Sequence, residues 1–172
     1  MPITLRFPYD HEQDKVASVM QDVWVQEWDF LPYWDQCKQD IDLLIALLQE
    51  MQQGINLASG LVPCTFMLAY NQSQQIVGRV SIRHELNDFL FQKGGHIGYG
   101  VLPEYRLKGY ASEILRQALI YCQDQLHLPK VLVTCDDDNI GSWKVIETNG
   151  GVLENKVDSV DGSTRRYWIK LK

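Results

Sequence analysis

The chain has 172 residues, 45% of them hydrophobic, and a formal charge of −6. That length suits one domain with a sizeable core, residues 1 to 172, and an acidic balance without a Lys/Arg block argues against nucleic acid as the main partner. The four cysteines, Cys37, Cys64, Cys122 and Cys135, show no Cys-x-x-Cys or Cys/His spacing, so no metal is expected.

In chain order, Ile3, Leu5 and Phe7 alternate as a first strand. Residues 11 to 28 carry Val16, Val19, Met20, Val23 and Trp24 at helical spacing, and 35 to 52 carry Ile41, Leu44, Ile45, Leu48 and Met51. Gly54 and Gly60 end that region. Strands follow over 62 to 70 and 75 to 86, joined by the turn Asn71-Gln72-Ser73-Gln74. A loop over 87 to 95 leads to a strand over 96 to 102. After Gly109 an amphipathic helix presents Ala111, Ile114, Leu115, Ala118, Leu119, Cys122 and Leu126 on one stripe. Val131-Leu132-Val133 reads as a strand buried on both faces. A short helix over 140 to 149 and two strands around Ser159-Val160-Asp161-Gly162 complete the order β-αα-βββ-α-β-α-ββ, an α+β domain with a mixed sheet. No apolar run reaches the length of a membrane span and no secretory leader is read at the start, so the cytoplasm is the expected compartment.

The informative string is Arg106-Leu107-Lys108-Gly109-Tyr110-Ala111, between a strand and a helix. The first turn of a helix has unpaired N–H groups and a partly positive dipole end, so an anion fits there. Gly109 lets backbone approach a phosphate closely, and Ala111 keeps the helix start near the strand. Arg106 and Lys108 add positive charge. Neither the dinucleotide fingerprint nor a phosphate loop ending in Gly-Lys-Ser/Thr is present.

These residues resemble the [QR]-x-x-G-x-[GA] pyrophosphate loop of the GNAT superfamily of N-acetyltransferases. Asn139-Ile140-Gly141-Ser142, running on to Glu147-Thr148-Asn149-Gly150-Gly151, is similar to that family's second motif. Gly94-Gly95-His96-Ile97-Gly98-Tyr99 and Cys135-Asp136-Asp137-Asp138-Asn139 look like a bacterial subgroup described only as predicted acetyltransferases. The resemblance covers residues 60 to 171 well, and the first third only in element order.

The resemblance implies a GNAT acyl-CoA fold with acetyl-CoA as cosubstrate. Backbone N–H groups of Leu107, Lys108, Gly109, Tyr110 and Ala111 would hold the pyrophosphate, with Arg106 nearby. The strand over 96 to 102 would pair with the pantetheine arm, with Gly98 and Gly100 compatible with a bulge, and the amides near Gly100, Val101 and Leu102 would polarise the thioester carbonyl. Asn139 would cap its helix and contact the pantetheine; Ser142 and Lys144 face the cofactor by analogy. The family's usual Tyr, which protonates the leaving thiolate, falls at Ile146, leaving Tyr99, Tyr105, Tyr110 or water for that task.

An alkyl amine with a pKa near ~10.4 is mostly protonated at neutral pH, so a base is useful. His84, Glu85, His96 and Asp136 to Asp138 are available, with Glu85 and His96 ranked first as catalytic groups. The acceptor, a primary amine of a small molecule or peptide, would be met by the N-terminal third, where Trp24, Trp28, Phe30, Tyr33 and Trp34 surround Glu27, Asp29 and Asp35. Two readings stay open: an N-acetyltransferase working by direct attack, or an acyl-CoA-binding module without turnover. The last hairpin offers an edge for pairing in a homodimer.

Overall fold

Period-two alternation puts Met67 and Ala69 of strand β2 (Cys64–Asn71) into one core and Phe66, Leu68 and Tyr70 into another, so β2 is buried on both faces. It lies between β1 (Ile3–Arg6) and β3 (Ile76–Arg83), and β3 pairs with β4 (Ile97–Val101), all antiparallel, in the order β1-β2-β3-β4. The computed structural model describes residues 2–22, 25, 30–37, 40–160 and 162–172.

One core lies under helix α3 (Tyr110–Asp124). Ile114, Leu115, Ala118 and Cys122 are fully buried and meet Val80, Ile82, Val131 and Val133. Burying side chains such as Ile114 and Leu115 contributes about 1.5–3 kcal/mol each. On the opposite face α1 (Gln13–Met20) and α2 (Ile41–Gln53) cover Phe66, Leu68 and Tyr70 with Val16, Leu44 and Leu48. A second sheet, order β5-β7-β6, comprises β5 (Lys130–Asp136), β6 (Val152–Ser159) and β7 (Gly162–Lys170). Helix α4 (Ile140–Thr148) follows β5. The chain order of these elements is the one expected.

Strand ends shift by a few residues, β3 for example stopping at Arg83 and not 86, and three other boundaries differ. The first helix is preceded by a 3-10 turn, Asp10–Glu12, and α-helix follows over Gln13–Met20; Val25 is again helical, and residues 23, 24 and 26–29 lie outside the described ones. The second helix starts at Ile41, not at 35, because the Asp40 carboxylate accepts from the Asp42 and Leu43 N–H groups (3.0 and 3.1 Å) and fixes the N-terminus there. The expected loop over 87 to 95 contains a turn of π-helix, Leu90–Gly94, closed by Gly95 N–H to Leu90 O at 2.6 Å.

An ionic clamp fastens β1 to the helix after it. Arg6 lies between the rings of Tyr9 and Tyr70 (3.9 and 3.6 Å) and donates twice to Glu12, at 2.8 and 3.0 Å. Lys15, the Tyr9 N–H and the Tyr70 hydroxyl also donate to Glu12. Burial alone would raise the Glu12 pKa; these donors outweigh it and hold the carboxyl well below the usual range.

Candidate active site

The site begins with a difference between the two edges of β4. Toward β3 its pairing is complete: Leu102 N–H donates to Val77 O at 3.0 Å and Arg83 N–H to His96 O at 2.7 Å, with the register unbroken between. Antiparallel alternation then turns the N–H groups of Gly98, Gly100 and Leu102 to β3, and those of Ile97, Tyr99 and Val101 to the other edge. The Leu102 amide, expected to polarise a carbonyl, is therefore committed to Val77. Within the strand expected to pair with the arm, it is Ile97, Tyr99 and Val101 whose amides face the other edge.

Across that edge stands β5, joined to β4 at one point. His96 N–H donates to Leu132 O (2.7 Å), and Leu132 N–H donates to His96 Nδ1 (2.9 Å). Beyond this clamp no ladder bond joins the two strands among the described residues, and they diverge. Ile97, Gly98 and Tyr99 face Thr134, Cys135 and Asp136 across a cavity of about 230 Å³. The matching direction of numbering makes β4 and β5 parallel neighbours, splayed past His96. Asn139 and Ser142 also line this slot.

At the end of β4 the chain turns through a 3-10 segment, Pro103–Tyr105, into the expected anion loop. Leu107 (φ 60°) and Gly109 (φ 82°) adopt left-handed backbone, which directs successive N–H groups outward. The first bond of α3 runs from Glu113 N–H to Gly109 O, and among the described residues the amides of 107 to 112 find no acceptor. This is a cradle of N–H groups at a helix start, suited to a diphosphate. Arg106 Nε donates to Val101 O (3.3 Å) and Lys108 Nζ to Glu104 O (2.8 Å), so both cations brace the loop.

Past the slot, Asn139 Oδ1 accepts from Ser142 N–H at 3.0 Å and caps α4. Ser142 Oγ lies 3.0 Å from the Tyr99 hydroxyl, tying α4 to β4. Burial raises the Tyr99 phenol to about 12, so it keeps its proton at neutral pH. Burial likewise raises the Cys135 thiol to about 11, which leaves it un-ionised and a poor nucleophile. Ile146 is fully buried in the core.

The two bases ranked first are not brought together. His96 is 6% exposed, its Nδ1 is occupied by Leu132, and burial lowers its pKa to about 4. Glu85 is exposed in the bend after β3. Neither lines the slot or the larger cavity nearby. That cavity, about 500 Å³, has Tyr33, Cys64, Phe66, Arg79, Ser81 and Arg83 among its walls. A Cβ on Gly98 would stand 3.0 Å from Arg83 Nη1, so this guanidinium lies across β4 at a residue that also lines the slot. Of the aromatic cluster, Phe30 and Trp34 are core, Tyr33 reaches the cavity and Asp35 is exposed. Trp24, Glu27, Trp28 and Asp29 lie outside the described residues.

A splayed pair of parallel strands beside an amide cradle is a shape that known proteins share. The family model described as Acetyltransferase (GNAT) domain matches residues 3–152. The chain belongs to this GNAT family. A GNAT relative in sequence is the "Uncharacterized N-acetyltransferase YnaD" of Bacillus subtilis (strain 168), 37% identical over 54 residues; the match spans 31% of this chain and 32% of that protein. Among solved structures, the ribosomal-protein-S5-alanine acetyltransferase of Vibrio fischeri superposes with a TM-score of 0.70 at 15% identity, covering 99% of this chain and 93% of that one. The spermidine N-acetyltransferase of Vibrio cholerae, solved with CoA and spermine, gives 0.64 at 18% identity, covering 98% and 95%. At such identities these likenesses speak for the GNAT fold.

No helix among the described residues is long and apolar enough to cross a membrane. No group of His, Cys, Asp and Glu among them could hold a metal ion.

Proposed function

We propose that the chain is an N-acetyltransferase that moves an acetyl group from acetyl-CoA to a primary amine of a small molecule or peptide. The observation that carries this reading is the slot between β4 and β5, clamped at His96 and Leu132 and ending beside the amides of 107 to 112. The slot has the right polarity for an amide-rich arm: the edge amides of Ile97, Tyr99 and Val101 can pair with it as a strand would. The amides of Leu107 to Ala111 would hold the diphosphate, and Arg106 and Lys108 would support it. Acetyl-CoA supplies a thioester, already activated toward an amine.

The residues then divide the work. The Val101 amide faces the slot and can polarise a carbonyl there, a role for which the Leu102 N–H, donated to Val77 O, is not free. Tyr99, protonated and lining the slot, is the proton donor we assign to the departing sulfur. Asn139 and Ser142 fix the α4 end of the slot. The un-ionised Cys135 favours direct attack over an acetyl-cysteine intermediate. Deprotonation of the amine is assigned to solvent, while His96 holds the seam.

Calorimetry with CoA and free-thiol release with an amine panel test the reading. Binding with thiol release supports it; no heat with CoA overturns it. The second reading, a CoA-binding module without turnover, draws on Ile146, a core residue where the family usually has its proton donor. Binding without thiol release from any amine would favour it.

A further inference from the structure

The 500 Å³ cavity beside the slot contains a guanidinium, Arg83, with no carboxylate among the described residues of its walls. Arg79, Ser81 and Arg83 alternate with the core residues Val80 and Ile82, so they project from the face of β3 opposite α3. The cavity walls include apolar Leu61, Val62, Phe66 and Leu90, with Tyr33, Arg79, Ser81 and Asn87 as polar members. No Asp or Glu lines the cavity among the described residues. Arg83 makes one side-chain hydrogen bond among them, Nη1 to Gly94 O, and it is long at 3.4 Å. A guanidinium has five N–H donors, and the half-buried Arg83 spends one of them on protein, so the others are open to what enters the cavity. Burial does lower the Arg83 pKa from its ordinary value. Arg79, by contrast, donates to Ser81 Oγ at 3.2 Å.

We propose that Arg83 is the receptor for a carboxylate on the acceptor, and that the acceptor is an α-amino acid with an apolar side chain. This rests on the transferase reading. A planar guanidinium can take a carboxylate through two parallel bonds. The apolar walls suit an aliphatic or aromatic body better than a second charge. Location supports an α-amine: Arg83 Nη1 lies over Gly98, which also faces the slot. A carboxylate on Arg83 therefore leaves a neighbouring amine one short step from the cleft. The absence of a side chain at Gly98 is what admits the guanidinium, since a Cβ would sit 3.0 Å from Nη1 and 3.1 Å from Ser81 Oγ.

The test compares amino acids with their decarboxylated amines. Leucine, phenylalanine, methionine and valine are set against isoamylamine, phenethylamine, 3-(methylthio)propylamine and isobutylamine, with spermidine as a polycationic competitor class. Free-thiol release with wild-type protein should favour the amino acid of at least one pair by roughly 10- to 100-fold in kcat/KM. Arg83→Met should bring that ratio close to one, and Arg83→Lys should recover part of it. Equal or faster turnover of the decarboxylated amines or of spermidine overturns the proposal, as does an unchanged ratio in a folded Arg83→Met protein. If no amine releases thiol, the transferase reading fails, and melting of the CoA-loaded protein decides the pocket. A rise in melting temperature with N-acetyl-leucine but not with N-isoamylacetamide, lost in Arg83→Met, upholds the carboxylate site. Equal shifts, or none, overturn it.

Discussion

The two edges of β4 are made by the same five residues and behave in opposite ways. Toward β3, bonds recur from His96 to Leu102 and the register is unbroken. Toward β5, the backbone is held at His96 and Leu132 and then released. The ladder makes β4 rigid, and the seam leaves its other amides available. An available sheet edge normally invites aggregation; here it faces into a cleft that β5 covers.

The largest effect should arise away from both edges. Glu12→Ala leaves the Arg6 guanidinium buried between two rings, and urea unfolding should show a loss of about 3–5 kcal/mol. CoA affinity by calorimetry should stay unchanged, because the clamp is remote from the seam. Next, Ile146→Tyr should cost about 3 kcal/mol by the same measurement. Ile146 is fully buried, and a Cβ on Gly151 would already stand 2.5 Å from its Cγ2, so the larger ring overpacks the core and should not raise turnover.

The seam itself is broken by His96→Leu, which orphans the Leu132 N–H at a cost of about 2 kcal/mol. His96→Asn can present an oxygen to that N–H and should recover most of it. The pH dependence separates these variants. The folded His96 pKa, about 4, lies below the ordinary 6.5, so the unfolded chain binds the proton first. The stability that His96 contributes is whole above pH 6.5 and falls as the pH drops toward 4, and in His96→Asn this slope should shrink to the part that His84, whose pKa burial also lowers, contributes. Glu12 adds its own loss below its ordinary 4.5, so the upper part of the His96 window is free of it. Smallest is Gly109→Ala: no atom lies within 4 Å of the new Cβ, so the left-handed backbone strain, about 1 kcal/mol, is the whole cost. CoA affinity should weaken by about fivefold as the amide cradle shifts.

The ladder side was legible in the sequence and the seam side was not. Alternation in 62 to 70 and 75 to 86, the stripe from Ala111 to Leu126 and the glycine turn at Gly109 are local signals, and β2, β3, α3 and the amide cradle follow from them. The Asn139 cap is equally local. His96 read as a base because imidazole chemistry is visible in a sequence, whereas its partner, the Leu132 N–H, lies 36 residues away. Leu102 was misread for a related reason: which amides of β4 are spent depends on the edge that β3 occupies. The start of α2 moved because helical spacing from residue 35 suggested an earlier onset than the Asp40 cap allows. Arg83 went unnoticed because a charged residue at a strand end usually faces solvent, and only the neighbouring Gly98 allows it to lie inward.

Cys135 has one further consequence. Its thiol is half-buried in the slot wall, while Cys122 is sealed beneath α3. Timed alkylation therefore separates two kinds of opening within one molecule. Modification of Cys122 counts global unfolding, and modification of Cys135 counts exposure of the cleft. Protection of Cys135 alone on adding CoA would map occupancy of the cleft without any catalytic turnover.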